Sequence, residues 1–252
     1  MSDFDRNYAA TRRFGADRAL AIDAGLRAHM IRVYNYMAAG VAMTGVVAWL
    51  TFQLAVTTTS TGALALTPFG QAIYGTALTW VLMLAPLGLV FFLSFRINSL
   101  SASTARLLFF VYAASLGLSL SVIFLVYTHA SITRVFFISA AAFGALSLWG
   151  YTTGRDLTAF GSFLIMGLFG IIIASLVNIF LGSSQLDWII SVIGVIVFAG
   201  LTAWDTQKIK EMYDPMDDGT IGGRKVVMGA LALYLDFINL FLMLLRLAGD
   251  RR

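Results

Sequence analysis

The longest uncharged stretch of this sequence, from Val33 to Phe95, most constrains what the chain can fold into. One helix crosses the hydrocarbon core of a bilayer with about 20 apolar residues. The stretch therefore has room for two crossings, separated by the polar segment 57–62. The whole chain shares this character, since 59% of its 252 residues are hydrophobic and 12% are charged. A soluble protein of this length cannot bury so much apolar surface, which indicates an integral membrane protein.

Charged residues divide the rest of the chain into further apolar segments of spanning length. The predicted transmembrane helices are roughly 33–56, 72–95, 107–127, 135–154, 157–181, 188–204 and 226–245. The fold class is therefore all-α, a polytopic membrane bundle of seven helices. We expect a cytoplasmic N-terminal tail (1–28), a transmembrane domain (29–248) and a short C-terminal tail (249–252).

The distribution of basic residues predicts the orientation of this bundle. With seven spans and a cytoplasmic N-terminus, all but four of the 17 Lys and Arg residues lie on the cytoplasmic side, as the positive-inside rule requires. The exceptions are Arg134, Arg246, Arg251 and Arg252. A re-entrant hairpin in place of the last span leaves Arg134 alone outside. Because residues 226–245 supply a full span, we favour seven crossings.

Two acidic residues lie where an ionised side chain costs about 2.5–3.5 kcal/mol. Asp205 ends the sixth predicted helix, and Asp236 lies in the middle of the seventh. At 1.5 Å per residue the two reach similar depths on antiparallel neighbours, so their carboxyl groups can meet. Lipid rejects an acid in mid-span, so we expect the last helix to be surrounded by the others.

Two carboxyl groups in one dry site cannot both ionise cheaply, so they are expected to share a proton. When that proton leaves, they form an anionic oxygen site of the kind that calcium prefers. The alternative is that Asp205 is an interfacial residue neutralised by Lys208. Arg96, at the end of the second span, is a candidate to reach Asp205, or else extends to the membrane surface.

Four sequence blocks together resemble the Bax inhibitor-1 (transmembrane Bax inhibitor motif) family. They are Asp205-Thr206-Gln207, Tyr234-Leu235-Asp236-Phe237 with Asn239, Tyr151-Thr152-Thr153-Gly154-Arg155-Asp156-Leu157 and Tyr112-Ala113-Ala114-Ser115-Leu116-Gly117-Leu118-Ser119. The blocks keep the family's order, and the resemblance covers about residues 25–247. A bacterial member of this family is expected in the inner (plasma) membrane.

The resemblance implies seven helices with the last one central, and a di-aspartyl proton sensor formed by Asp205 and Asp236. Family members are associated with pH-dependent calcium leak, and Arg96 best matches an arginine that latches the sensor in some members. The leading hypothesis is thus a proton-regulated cation pathway, with Asp205 and Asp236 as the expected calcium ligands. The alternative is a regulatory protein that binds a membrane protease or another membrane partner.

Other functions find less support in the sequence. Intramembrane aspartyl proteolysis also needs two aspartates, but Asp236 lacks the Gly-x-Gly-Asp context of those enzymes. Phosphate loops and nucleophile elbows are missing from the sequence, so an enzyme is not expected. We expect no cofactor beyond a permeant or bound calcium ion. The net charge of +4 reflects membrane orientation rather than nucleic-acid binding.

Overall fold

A computed structural model describes the backbone of residues 3–59 and 64–252 and the side chains of 24–59 and 64–252. Its helices are α1 (Asp3–Ala55), α2 (Pro68–Tyr74), α3 (Leu78–Arg96), α4 (Ala102–Leu120), α5 (Ile123–Val126), α6 (His129–Thr152), α7 (Thr158–Leu181), α8 (Ser184–Glu211) and α9 (Gly219–Ala248). A short antiparallel hairpin, β1 (Val56–Thr58) and β2 (Leu64–Leu66), follows α1.

Seven helical segments among the described residues are long and apolar enough to cross a membrane. They are the Ala24–Ala55 part of α1, α3 with the turn after it, α4 with α5, and each of α6 to α9. The predicted all-α bundle of seven transmembrane helices is therefore confirmed. The predicted tail is helical from Asp3 and continuous with the first span, while the side chains of residues 1–23 lie outside the described part.

Helix boundaries differ from the predictions where a turn interrupts an apolar segment. The predicted second span, 72–95, is divided because α2 ends at Tyr74 and α3 begins at Leu78. Within the predicted third span, α4 ends before Ser121. The Ser121 hydroxyl donates a hydrogen bond to the carbonyl oxygen of Leu118 at 2.6 Å. The sixth helix continues beyond residue 204 to Glu211. Apolar length alone does not reveal these breaks and extensions.

Helix α9 is the central element of the bundle. In its most apolar 18-residue stretch 72% of the residues are buried, compared with 11% in α3 and in α7. It packs against α8, α1, α6 and α4, which confirms that the last helix is central. It is also a single unbroken helix, whereas a re-entrant hairpin needs a turn within the same residues.

Small residues allow neighbouring helices to pack closely at two positions. Gly150 on α6 lies so near α8 that a Cβ atom there would overlap the carbonyl oxygen of Ala203. Gly117 on α4 approaches the backbone of α1 at Thr44 in the same way, with 2.7 Å between an added Cβ and the Thr44 carbonyl oxygen. Because glycine has no side chain, the backbones of the neighbouring helices approach each other directly at these positions.

The two ends of the bundle differ in the number of basic residues that they carry. One, which we call the basic end, carries the α3–α4, α6–α7 and α8–α9 connections with Arg96, Arg106, Arg155, Lys208 and Lys210. The opposite end carries the hairpin, the α5–α6 and α7–α8 connections and the C-terminus.

Contacts with the α5–α6 junction hold the C-terminal residues at the opposite end. Arg134 forms an ion pair of 3.0 Å with Asp250, and the backbone amide of Thr128 donates to the Asp250 carbonyl oxygen. Arg252 contacts Nδ1 of His129 at 2.7 Å. The last residues are therefore anchored to the bundle.

Candidate functional site

The structure brings Asp205 and Asp236 together between α8 and α9. Their side chains interact electrostatically and lie within hydrogen-bonding reach of each other. Two carboxyl groups can form such a bond when one of them keeps its proton and donates it. Asp236 is 4% exposed, and its Oδ2 atom has no hydrogen-bond partner among the described residues. The predicted meeting of the two acids is found, and their role as a proton sensor stays a prediction.

The depth of the pair follows from the helix lengths. Asp205 lies six residues before the C-terminal end of α8, and Asp236 lies near the middle of α9. The connection between these helices is short, because Asp218 caps α9 by accepting hydrogen bonds from the amides of Thr220 and Ile221. Lys225 pairs with Asp217 at 2.6 Å. The predicted antiparallel arrangement therefore places both acids below the basic end.

Lys208 is the cation whose charge acts most strongly on Asp205. It follows Asp205 by three residues on α8, and its Nζ lies 4.9 Å from the ring centroid of Trp204. No direct ion pair between Lys208 and Asp205 occurs within the part of the chain that the structure describes. The interfacial interpretation of Asp205 thus explains part of its environment, but not the contact with Asp236.

Arg96 is exposed at the C-terminal end of α3. Among residues with described side chains it forms no ion pair, and α3 packs mainly on α4 and α2. The structure therefore does not bring Arg96 to the acid pair. Its proposed latch role remains a prediction about another state.

Gln207, two residues after Asp205, joins α8 to the α6–α7 connection. Its side-chain oxygen accepts from the amide of Leu157 at 2.8 Å, and its amide nitrogen donates to the carbonyl oxygen of Arg155 at 2.7 Å. Two of the sequence blocks thus meet in space. Sequence reasoning gave Gln207 no role, although a polar side chain on an apolar helix was the available signal.

Thr206 connects the same helix to α6 and α1. Its hydroxyl lies 2.9 Å from that of Ser147, which in turn bonds with the hydroxyl of Tyr34. Thr206 also donates to the carbonyl oxygen of Thr202. These buried hydroxyl groups fix the turn of α8 that carries Asp205, and sequence reasoning missed them.

Asp156 has a structural role in the α6–α7 connection. Its Oδ1 accepts a hydrogen bond from the backbone amide of Thr158, the first residue of α7, at 2.8 Å. Hydrogen bonds with Thr158 hold the pKa of the Asp156 carboxyl below its ordinary value. Asp156 is therefore not a second site at which two acids share a proton.

An elongated cavity of about 710 Å³ adjoins the acid pair. Its walls come from α3, α7, α8 and α9, and most of the side chains that line it are apolar. Asp205, Asp236 and Asn239 supply polar groups on the α8 and α9 walls. The amide nitrogen of Asn239 donates to the carbonyl oxygen of Leu235 at 2.8 Å.

Two carboxyl groups at this site offer oxygen atoms to a metal ion. Groups of three or more His, Asp or Glu side chains that could hold a metal are missing from the described residues. Calcium takes six to eight oxygen ligands at a stable protein site. The assignment of Asp205 and Asp236 as calcium ligands stays a prediction.

Comparison with known proteins finds similarity along nearly the whole chain. The profile of the family described as inhibitor of apoptosis-promoting Bax1 matches residues 26–252. The inner membrane protein YbhL of Escherichia coli (strain K12) is 48% identical over 231 residues, which are 91% of this chain and 94% of that protein. RP147 of Rickettsia prowazekii is 48% identical over 252 residues, covering both chains entirely. A Caulobacter vibrioides protein is 42% identical over 259 residues, again covering both chains.

Proposed function

Because this chain belongs to the Bax inhibitor-1 family, we propose that it is a pH-regulated cation leak pathway gated by the Asp205–Asp236 pair. Calcium is the proposed permeant ion, and the chain performs no enzymatic reaction. The observation that carries the proposal is the contact of a nearly fully buried acid on the central helix with a second acid on the neighbouring helix. Such a pair is costly in a membrane, which points to a function.

The gating step follows from the chemistry of two carboxyl groups. With one shared proton, one carboxyl donates to the other and ties α9 to α8. Loss of the proton leaves two anions that repel each other in a site of low polarity. The repulsion loosens the contact between the helices and at the same time offers the oxygen ligands that a hard cation prefers.

The helices and the relatives support a location for the pathway. YbhL is named an inner membrane protein, and we propose the bacterial inner membrane for this chain as well. The basic end then faces the cytoplasm, in agreement with the positive-inside rule. In that orientation the acid pair is nearer the cytoplasmic surface, and cytoplasmic pH sets its protonation.

A second proposed function is regulation of a membrane-bound protease or another membrane protein. In its favour, α1 begins at Asp3 and so extends as a helix well before its spanning part. Deleting residues 1–22 tests this function, because the deletion keeps Gly25, which packs closely against Tyr213. If the deletion abolishes partner regulation and leaves ion flux unchanged, the second function is supported. If it changes neither regulation nor flux, the second function is contradicted.

Calcium flux into proteoliposomes across a range of pH tests the leading proposal. We expect the wild type to show pH-dependent flux and Asp236→Asn to lose that dependence. Asp187→Asn is the matched control, because Asp187 lies at the opposite end of α8, where it pairs with Arg246 at 3.4 Å. Flux equal to that of protein-free liposomes contradicts the proposal.

A further inference from the structure

The cavity beside the acid pair opens toward the lipid. Its edge is formed by Phe91 on α3 and by Ile172 and Leu176 on α7, which are 57%, 45% and 55% exposed. On two peripheral helices of a membrane-spanning bundle, exposed apolar side chains face acyl chains. A molecule that enters between α3 and α7 therefore comes from the bilayer and must be apolar along most of its length.

The cavity has the size and shape of a ligand site. Its volume of about 710 Å³ lies within the range of about 300–1,000 Å³ that is typical of small-molecule pockets. Along α9 it extends from Ala232 to Met243, or about 16 Å at 1.5 Å per residue. Such a slot accommodates an extended hydrocarbon chain.

The chemistry of the inner wall selects the polar group of this ligand. Asp236 Oδ2 is buried and has no hydrogen-bond partner among the described side chains and backbone groups. Asp205 and Asp236 both line the cavity; a neutral acyl chain offers these acids no hydrogen-bond donor, and an anionic lipid head is repelled by them. An ammonium group supplies both hydrogen-bond donors and the opposite charge. With one shared proton the acid pair carries one negative charge, which a single ammonium group neutralises.

We infer that this cavity binds a membrane-soluble amphiphilic amine, whose ammonium group contacts Asp236 and Asp205 while its hydrocarbon chain lies in the slot between α3 and α7. The inference rests on the proposed function in that it uses the same acid pair, and it adds a ligand class that enters from the lipid. A bound amine neutralises the pair and fills the space beside it, so it blocks cation passage.

Saturable binding to the full-length protein in lipid nanodiscs tests the inference without any flux measurement. The probe is radiolabelled N,N-dimethyldodecylamine, with dodecanol as the uncharged competitor of equal chain length and protein-free nanodiscs as background. We expect saturable amine binding that dodecanol competes for weakly. One charged hydrogen bond corresponds to a factor of roughly ten in affinity, so the double variant Asp205→Asn with Asp236→Asn, which leaves no negative charge at the site, should weaken binding by about tenfold or more.

Two substitutions test the contribution of the slot to binding independently of the acids. Ala232 lies one helical turn before Asp236 and lines the cavity, so Ala232→Phe should abolish binding while both acids remain. Ile173→Phe is the matched control, because Ile173 is 61% exposed on α7 and outside the lining. Elution of each variant as a monodisperse species establishes that it is folded.

Three results overturn the inference: absence of saturable binding to the wild type, equal competition by dodecanol, or unchanged binding in the folded double variant Asp205→Asn with Asp236→Asn and in folded Ala232→Phe. Amine binding without calcium flux supports the site and contradicts the proposed function. Calcium flux with normal pH dependence but no amine binding contradicts the site alone.

Discussion

The hydroxyl groups of Thr44 on α1 and Tyr234 on α9 lie 2.6 Å apart in the core of the bundle. Thr44 also donates to the carbonyl oxygen of Ala113 on α4 at 2.9 Å. Three helices thus meet at one hydroxyl pair, two residues before Asp236. This contact fixes the rotation of α9 and with it the direction of the Asp236 side chain.

Loss of this contact should weaken the bundle slightly. Hydrogen bonds between membrane helices contribute about 0.6 kcal/mol on average and up to about 1.7 kcal/mol. We therefore expect Tyr234→Phe to lower the free energy of unfolding by about 1 kcal/mol, measured by denaturant titration. Tyr112→Phe is the control. Tyr112 packs edge-on against Tyr234, and its own hydroxyl group forms no hydrogen bond within the described part of the chain. Equal losses in both variants contradict a role for the hydroxyl pair.

The approach of α6 to α8 gives a second test. Gly150→Ala places a Cβ atom against the carbonyl oxygen of Ala203, two residues before Asp205. Overpacking of this kind typically costs about 1–3 kcal/mol. Gly144→Ala on the same helix is the matched control, since a Cβ atom there has nothing within 4 Å. The midpoint of thermal unfolding should fall for Gly150→Ala and stay equal or rise for Gly144→Ala.

Much of the fold was predictable because uncharged length is visible in a sequence. The central position of α9 followed from Asp236, since an acid in mid-span needs protein around it. The neighbours of α3 were not predictable, because lipid-facing and protein-facing side chains are equally apolar in this helix. For that reason the sequence suggested that Arg96 could reach Asp205, whereas the structure places a cavity beside α3.

The contacts made by Gln207 were hidden for a different reason. They join α8 to backbone groups of the α6–α7 connection, about 50 residues earlier in the chain. A pairing between a side chain and a distant backbone leaves no spacing pattern in the sequence. The acid pair was predictable because each of its members is individually unfavourable in lipid.

The crossing of the membrane by α9 can be tested by cysteine labelling, because the chain contains no cysteine. Asp250→Cys should react with an impermeant maleimide from the periplasmic side of spheroplasts. Met216→Cys, in the connection between α8 and α9, is the control and should react only after the membrane is opened. Met216 is 84% exposed, so access of the reagent is not limited by packing. Cytoplasmic labelling at both positions contradicts seven crossings.

The proposed gating also predicts the direction of the pH response. The proton shared by Asp205 and Asp236 is present at low pH and is lost as the pH rises, so the contact between α8 and α9 is strongest in acid. Calcium flux should therefore increase from mildly acidic to mildly alkaline pH. Asp205→Asn and Asp236→Asn should each remove most of this increase, because one titrating partner is gone and the remaining pair keeps a hydrogen bond at every pH.

Arg96→Ala separates the acid pair from the proposed latch in the same flux experiment. Because Arg96 is exposed and α3 packs mainly on α4 and α2, we expect this variant to keep the direction of the pH response. A higher flux at acidic pH than in the wild type indicates that Arg96 stabilises a closed state. A wild-type pH profile in either Asn variant rules out gating by the acid pair, since the response must then come from another group.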